Sequence, residues 1–373
     1  MKLKINREQM LKSLTVVLHG IASKTPIPVM SNVKMELNEK GLLLVTTNNE
    51  LSVRTTIPYM IGSTDIITNY REGAALVEAR TLTEIVRRME AKEINIELVD
   101  NVILQIDDGR SNFKLNSVKV EEFPLLDFEP TGVTLSLRVS DFIKMVDQTA
   151  FAASQKEQRP VLTAVNLLAR DSELTAVATD SARLSRKTVK IDQNLNFSAN
   201  VPAKFLSEIA RMAETEDEIE LSVSDKKILF AFDNTVVNSR LISGEYPATQ
   251  NIVPRSYNYF LEVNADELLR AMDRVSLLSG ERENVVKLAM SASEVTISTK
   301  SNQKGSAVEQ LSTFQFTGEP LQISFNSAFV AAAVKACRSE DVTLSFLGEM
   351  KPISVRNMED ETQIQIVTPV RTY

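Results

Sequence analysis

The chain holds a single cysteine, Cys337, and a single histidine, His19, among its 373 residues. One cysteine excludes an internal disulfide and fits a reducing compartment, so a cytoplasmic location is expected. No apolar run is long enough to cross a bilayer, and the opening MKLKINREQM lacks the apolar centre of a signal peptide. No membrane partner is expected. Catalytic signatures are missing as well: there is no G-x-S-x-G, no nucleotide phosphate loop, no dinucleotide fingerprint, no H-E-x-x-H and no C-x-x-C. His19 falls in the last turn of the first predicted helix, where it reads as a surface or helix-end side chain. Cys337 closes the apolar run 329–337 and reads as a buried, inert thiol. Asp107-Asp108-Gly109 is a turn signal between strands rather than a metal site. Glu359-Asp360-Glu361 reads as a solvated hairpin. No catalytic residue, metal or cofactor is expected, and the chain is not read as an enzyme.

What is present fits a globular protein of two or three domains, with 43% apolar and 24% charged residues. The net charge of −7 argues against a protein that coats nucleic acid with its whole surface. A basic lining inside an acidic exterior stays open, because a phosphate backbone responds to local charge.

The dominant feature is repetition. Residues 28–35 read PVMSNVKM and residues 160–167 read PVLTAVNL; each phrase predicts a strand that starts at its proline. The offset of 132 positions recurs between TNNELSVRTTI at 47–57 and TDSARLSRKTV at 179–189. NVVKL at 284–288 is a fainter third copy. A second set of matches, VEARTLTEIV at 77–86, VPAKFLSEIA at 201–210 and FNSAFVAAAV at 325–334, recurs every 124 positions. Fixed offsets of this kind mark internal repeats. Helices are predicted after Asn6 and Asn264, each a capping residue followed three places on by Gln9 or Glu267, and Ser140 is a candidate cap for the second repeat. Apolar stripes follow at Leu11, Leu14 and Leu18, at Phe142 and Val146, and at Leu268, Met272 and Val275; Leu82, Ile85, Val86 and Met89 form another. Alternating strands are predicted at 94–98, 102–106, 219–223, 228–232, 342–346 and 364–367. The first two repeats close on EFP at 122–124 and EYP at 245–247. The reading is an α+β chain of three similar domains, 1–128, 129–258 and 259–373, each using a strand–helix–strands unit twice, with short rigid linkers. Six similar units suggest an arc with a binding surface.

Two binding features stand out. Basic residues recur on the predicted helices at Lys12, Arg80, Arg87, Arg88, Lys144, Lys204, Arg211, Arg270, Arg274, Lys335 and Arg338, with Lys24 and Arg159 just before the proline phrases. They read either as solvated helix faces, as Glu84, Glu90 and Glu208 nearby suggest, or as phosphate contacts that hold DNA without reading its sequence. The repeat-equivalent Arg80 and Lys204 favour the second. No aromatic side chains interleave with them, so single-strand stacking is not indicated. The second feature is apolar: Leu162, Thr179, Arg183, Leu184 and Pro247 share one predicted domain, and the chain ends Val367-Thr368-Pro369-Val370-Arg371-Thr372-Tyr373. That tail either walls a groove for a partner peptide or completes the last strand.

The phrases RPVLT at 159–163, ATDSARL at 178–184, SGEYP at 243–247 and the final TPVRTY resemble the bacterial DNA polymerase III beta subunit family, the sliding clamps, and the likeness runs over the whole length. The resemblance implies a clamp fold in which each of three domains has two helices and two antiparallel sheets. Two chains meet head to tail as a homodimeric ring around double-stranded DNA. Such a ring tethers replicative and repair DNA polymerases, confers processivity without catalysis of its own, and is placed on DNA by a separate ATP-driven clamp loader. The resemblance also implies a pocket for the short clamp-binding motifs of polymerases, the loader and other partners. It would consist of Leu162, Thr179, Ser181, Arg183, Leu184, Pro247 and Ile252, with Met350, Pro352, Ile366, Thr368, Pro369, Val370 and Arg371 as the other wall. Members often carry histidine or another large side chain where this chain has Ala182, which puts the peptide preference of that edge in question. The dimer contact would join Phe113 and Leu115 to Leu277 and Leu278. Phe113 and Leu115 share one face of a predicted strand and Leu277-Leu278 end a predicted helix, so either pair could equally belong to a core. Two rival readings stay open: a protein-binding repeat scaffold, which would be monomeric and not retained on DNA, and an enzyme for acidic or nucleotide substrates working through Asp107 or His19.

Overall fold

Every α-helix in the computed structural model begins at the residue after a β-strand ends, among the residues it describes, 1–22, 25–280 and 284–371. Strand Lys2–Asn6 runs into α1 (Arg7–Val17), Gly73–Glu78 into α2 (Ala79–Arg88), and Val133–Arg138 into α3 (Val139–Asp147). Phe197–Pro202 leads to α4 (Ala203–Met212), Tyr259–Asn264 to α5 (Ala265–Ser276) and Leu321–Asn326 to α6 (Ser327–Cys337). The strands that feed α2, α4 and α6 start at 73, 197 and 321, which is the 124-residue period of the sequence in three dimensions.

The junctions have a common chemistry. Asn6, Asn264 and Asn326 are the last strand residues, and each side chain accepts the backbone N–H three residues on, at 3.1, 3.1 and 3.2 Å. An extended residue with a short acceptor satisfies one of the orphan donors of the first turn, so the strand can become a helix without a loop. At α2 the cap is Glu78, which accepts from Arg80 and Thr81. The reciprocal half of the expected capping box in α5 does not form: the Glu267 carboxylate accepts instead from the Ser312 N–H and hydroxyl, at 2.6 and 2.7 Å. Ser140 is not a cap, since α3 starts at Val139 and puts it inside the first turn. In α1 the buried stripe is Met10, Leu14 and Val17, while Leu11 and Leu18 are half-buried. The seven-residue spacing holds, but the face is rotated from the expected one.

The proline phrases also differ from expectation. Pro28–Ser31 and Pro160–Thr163 are single 3-10 turns, and the strands begin after them at Asn32–Asn38 and Ala164–Arg170. Proline's fixed φ and missing N–H suit the head of a helical turn better than a strand. The Ser31 and Thr163 hydroxyls each donate to the proline carbonyl at 2.7 Å and close the turn. The third copy has no proline, and its strand, Val285–Met290, begins at its second residue.

The chain divides into two compact units. The first combines Met1–Ser140 with Glu208–Leu241. Its eight-stranded sheet takes four strands of the first repeat, 73–78, 32–38, 41–47 and 51–57, and continues into four of the second, 235–240, 227–232, 218–223 and 133–138. At the joint, Thr235 pairs with Thr55 and Ser239 with Leu51 in an antiparallel ladder. The buried Thr55 and Thr235 hydroxyls lie 3.0 Å apart. The unit's five-stranded sheet ends at Asn112–Asn116, an unpaired edge. Apolar faces of α1 and α2, including Met10, Leu14, Leu82 and Val86, are fully buried in this unit.

The second unit combines Asp141–Ser207 with the chain from Ile242 onward. Its nine-stranded sheet makes the same joint: four strands of the second repeat end at Arg183–Lys190, which pairs with Gln363–Val367 of the third. The four-stranded sheet ends at a second unpaired edge, Gly305–Gln310. Beneath the sheets, Leu268, Met272, Val275, Val330, Val334 and Phe346 belong to one continuous core.

Gly41 opens the strand beside the first joint with φ +122°, and a Cβ there would lie 2.2 Å from the Ile57 carbonyl oxygen. Gly280 has nothing within 4 Å of the equivalent position. Gly41→Ala is therefore expected to cost about 1–3 kcal/mol or more, visible as a drop of about 2–4 °C per kcal/mol in a thermal melt. Gly280→Ala should melt like the parent, and equal melting of the two variants would count against this account.

Candidate peptide pocket and basic helix faces

The segment 178–184 forms a turn held by its own side chains. Thr179 Oγ1 donates to the Arg183 carbonyl at 2.6 Å and accepts the Ser181 N–H at 3.1 Å. Asp180 Oδ1 accepts the N–H groups of Ala182 and Arg183 at 2.9 and 3.0 Å, and its Oδ2 takes Arg183 Nε at 3.0 Å. Ser181 carries the left-handed φ of 77° that the turn requires. The first repeat builds the same turn at 47–51, with Thr47, Asn48 and Asn49 (φ 75°) in the equivalent roles. The repeated phrase is thus first a turn, and each copy launches the strand that makes a sheet joint.

In the second repeat the turn carries further features. The Arg183 guanidinium lies over the Phe329 ring at 4.5 Å and the Phe151 ring at 5.6 Å, so its charge is spent between Asp180 and two aromatic faces. The tail docks on the turn: the Thr368 N–H and hydroxyl both donate to the Ala182 carbonyl, at 2.9 and 2.8 Å. The Val370 N–H donates to the Ser324 carbonyl at 2.7 Å. Gln363–Val367 is paired within the sheet, as the last-strand expectation has it, and Thr368 and Val370 after it stay hydrogen-bonded to the chain. Thr372 and Tyr373 lie outside the described residues.

Beside the turn, Val177, Leu184, Ile364 and Ile366 form a separate buried apolar cluster, with Tyr246 and Val253 packed on it. The Tyr246 phenol oxygen accepts the Thr179 N–H at 3.0 Å. Thr179, Ala182, Arg183, Leu184, Ile366 and Thr368 are therefore brought together by pairing and hydrogen bonds. Leu162 is buried on its 3-10 turn. Ser181, Pro247, Ile252, Met350 and Arg371 are exposed, and Pro352, Pro369 and Val370 are half-buried. Val177, Tyr246, Val253 and Ile364 were not singled out from the sequence, although the SGEYP phrase contained Tyr246.

The basic helix residues are exposed, and they divide into two groups. Arg87 and Arg88 pair with Glu84, Arg211 with Glu208, Arg274 with Glu309 and Arg338 with Asp147. Lys12, Arg80, Lys144, Arg159, Lys204, Arg270 and Lys335 carry no ion pair among the described residues; Lys24 lies outside them. Arg87, Arg211 and Lys335 stand 124 residues apart, at the same position of α2, α4 and α6, as Arg80 and Lys204 do on α2 and α4.

The groups considered for chemistry are engaged elsewhere. His19 sits in a 3-10 turn after α1 and its Nδ1 lies 2.6 Å from Glu208 Oε2. Burial pushes the Cys337 thiol up to about 12. Asp107 and Asp108 accept backbone N–H groups of their own turn. Asp360 is not simply solvated: it pairs with Lys187, which is buried, at 2.7 Å.

Burial also pushes the Tyr246 phenol up to about 12 from its ordinary 10.0. The stability that this group contributes is complete below about pH 10 and is lost as pH rises towards about 12, because the unfolded chain releases the proton first. Tyr246→Phe should flatten the alkaline limb of stability over that window. At neutral pH it should cost about 1–3 kcal/mol by leaving the Thr179 N–H unpaired. Urea melts of parent and variant across the range test this, and identical alkaline limbs would contradict it.

Family models of the DNA polymerase III beta subunit match along the chain: the N-terminal domain at 1–127, the central domain at 136–248 and the C-terminal domain at 250–371. The chain is 32% identical to the Beta sliding clamp of Bacillus subtilis (strain 168) over 378 residues and 31% identical to that of Staphylococcus aureus (strain Mu50) over 376, with all of each chain covered. Among solved structures it is similar over its full length to the DNA polymerase sliding clamp from Bacillus subtilis, with a TM-score of 0.96 and 31% identity. The beta subunit from Streptococcus pyogenes gives 0.94 and 29%, also over both full lengths. With the threefold repeat, the paired sheets and these matches in agreement, the chain belongs to the DNA polymerase III beta subunit family, the beta sliding clamps.

Proposed function

We propose that two copies of this chain close head to tail around double-stranded DNA as a processivity clamp, with no catalysis of its own. The observation that carries the reading is the pair of unpaired sheet edges. Strands 51–57 and 183–190 occupy the same place in the first and second repeats, and their counterpart in the third is the bare edge Gly305–Gln310. Strands 235–240 and 363–367 likewise correspond to the bare edge Asn112–Asn116. A second copy offers each edge the partner that its equivalents already have. Apolar side chains mark both places: Phe113 is exposed on one edge, and Val308 on the other is 72% exposed. Leu277, at the end of α5, is 71% exposed, which is hard to reconcile with a core role. Bare edges with apolar side chains are aggregation hazards unless something covers them.

The six α-helices among the described residues would supply phosphate contacts, since each carries a basic side chain and α2, α4 and α6 repeat one at the same turn. Screened contacts of this kind hold DNA of any sequence and allow sliding. Persistence on DNA then comes from closure rather than affinity. Polymerases, the clamp loader and other partners would dock through short peptides on the apolar cluster beside Thr179 and Leu184, with the docked tail as a wall. Domain limits at 1–128, 129–258 and 259–373 follow the repeats. The compact units cut the second repeat, because its two groups of strands join sheets on either side.

Loading onto nicked circular DNA with the cognate loader and ATP, followed by linearisation, tests the topology. Protein lost on linearisation is the expected result, and equal retention on circles and linear DNA would sink the clamp reading. Leu277→Asp places a charge at the proposed contact. It should shift the sedimenting species from dimer to monomer without altering the far-UV circular dichroism, and a dimer of parental stability would remove Leu277 from the interface.

A further inference from the structure

The nine-stranded sheet carries a polar groove of about 1010 Å³ that shares Val177 and Tyr246 with the apolar cluster. The segment 244–250 lines it on one side, and Thr175, Arg186 and Thr188 stand among its sheet residues. Alternation puts Leu184, Arg186 and Thr188 on one face, with about 7 Å between neighbours in the row. The register places Arg186 between Val177 on one neighbouring strand and Ile364 on the other. Ser354 pairs with Ile366 in the next strand, so the same row continues to Arg356. The row that crosses the groove at Arg186 therefore runs Val177, Arg186, Ile364, Arg356, alternating members of the apolar cluster with two arginines.

Arg186 is half-buried and makes no side-chain hydrogen bond or ion pair among the described residues. Arg356 also lacks a carboxylate: its Nε bonds Ser354 Oγ at 3.2 Å and its guanidinium lies 5.9 Å from the Tyr257 ring. Burial, and then the charge of Arg356, weaken the hold of Arg186 on its proton. The groove's three carboxylates, Glu173, Glu245 and Glu361, are exposed, and none pairs with Arg186; Glu173 stands opposite Lys190 at the far end of the strand. A guanidinium held partly out of water beside a like charge, with no carboxylate among the described residues paired to it, is an unmet electrostatic demand. Arg183, three residues earlier, shows the contrast, since Asp180 pairs with it.

We propose that this groove continues the peptide pocket and takes an acidic flank of the docked partner segment, with a peptide carboxylate on Arg186 and Arg356 reinforcing it. The proposal rests on the peptide-pocket reading and adds a charge preference to it. An extended segment anchored by apolar side chains at Leu184 and Ile366 brings a residue two or three places away within reach of Arg186. Partners carrying Asp or Glu beside their apolar anchor are favoured over those carrying neutral or basic residues there.

Two fluorescein-labelled peptides test this, each with a Leu-Phe anchor and either glutamates or glutamines at the two to three positions on both sides. The full-length protein is titrated with each by fluorescence polarisation at low and high salt. The glutamate peptide is expected to bind about tenfold more tightly at low salt, with the advantage shrinking as salt rises. In Arg186→Gln the advantage should fall to near one while the glutamine peptide binds as it does to the parent. Lys300→Gln, which removes the same charge from an exposed site elsewhere in the unit, should keep it. Equal binding of both peptides by the parent overturns the charge preference and leaves the pocket reading standing. Failure of both peptides to bind overturns the pocket reading and the proposal with it. An advantage that survives in Arg186→Gln also overturns it, because the preference then lies elsewhere.

Discussion

The antiparallel ladder between strands of successive repeats is the constraint on which the rest depends. It occurs at 51–57 with 235–240 and again at 183–190 with 363–367. Each ladder turns two four- or five-stranded sheets into one, buries the polar backbone at what would otherwise be an exposed edge, and fixes the register of one repeat against the next. The strand on one side of each ladder is launched by the same side-chain-bonded turn, at 47–51 and at 179–183. A short local motif thereby sets a long-range joint. The tail that follows 363–367 is held by the same turn through Thr368 and Ala182, so the candidate peptide site is built on the joint itself.

The local parts of this architecture were legible in the sequence. Fixed offsets revealed the repeats, and Asn6 and Asn264 marked two of the strand–helix junctions, because the amide side chain both ends a strand and caps a helix; the equivalent cap at Asn326 went unmarked. The alternating strands could be placed to within a residue or two. The proline phrases were misread because alternation over eight residues looks like strand whether or not the first turn is helical. Ser140 was misread as a cap because composition alone does not say which residue takes the first helical φ and ψ. The face of α1 was misplaced because Leu11 and Leu18 share the apolar spacing with Met10 and Val17, and only packing chooses between them.

The site was legible unevenly. Residues within the ATDSARL and TPVRTY phrases were found together, since local sequence carries them. Val177, Ile364 and Arg186 were not, because they meet through strand pairing between residues nearly two hundred positions apart, and nothing in their immediate neighbours signals it. The same holds for Val308, whose exposure matters only once its strand is known to lie at an edge. Whether a basic residue is committed to an ion pair was equally hidden. Arg274 and Arg338 looked like Lys204 in sequence, yet Glu309 and Asp147 already hold them.

The two bare edges, Asn112–Asn116 and Gly305–Gln310, differ in sequence, and in the proposed ring each meets the other kind. Contacts between such edges are heterologous, and a pair of copies that makes one contact still has one edge of each kind left over. If the geometry lets those meet, the second contact forms within a single particle at a high effective concentration, and the assembly becomes far tighter than either ladder alone. If it does not, the leftover edges recruit further copies and the product is a filament. In the proposed assembly, the choice between a closed object and an endless one would therefore rest on geometry set away from the edges themselves, and the twist at the internal ladders would be one source of it.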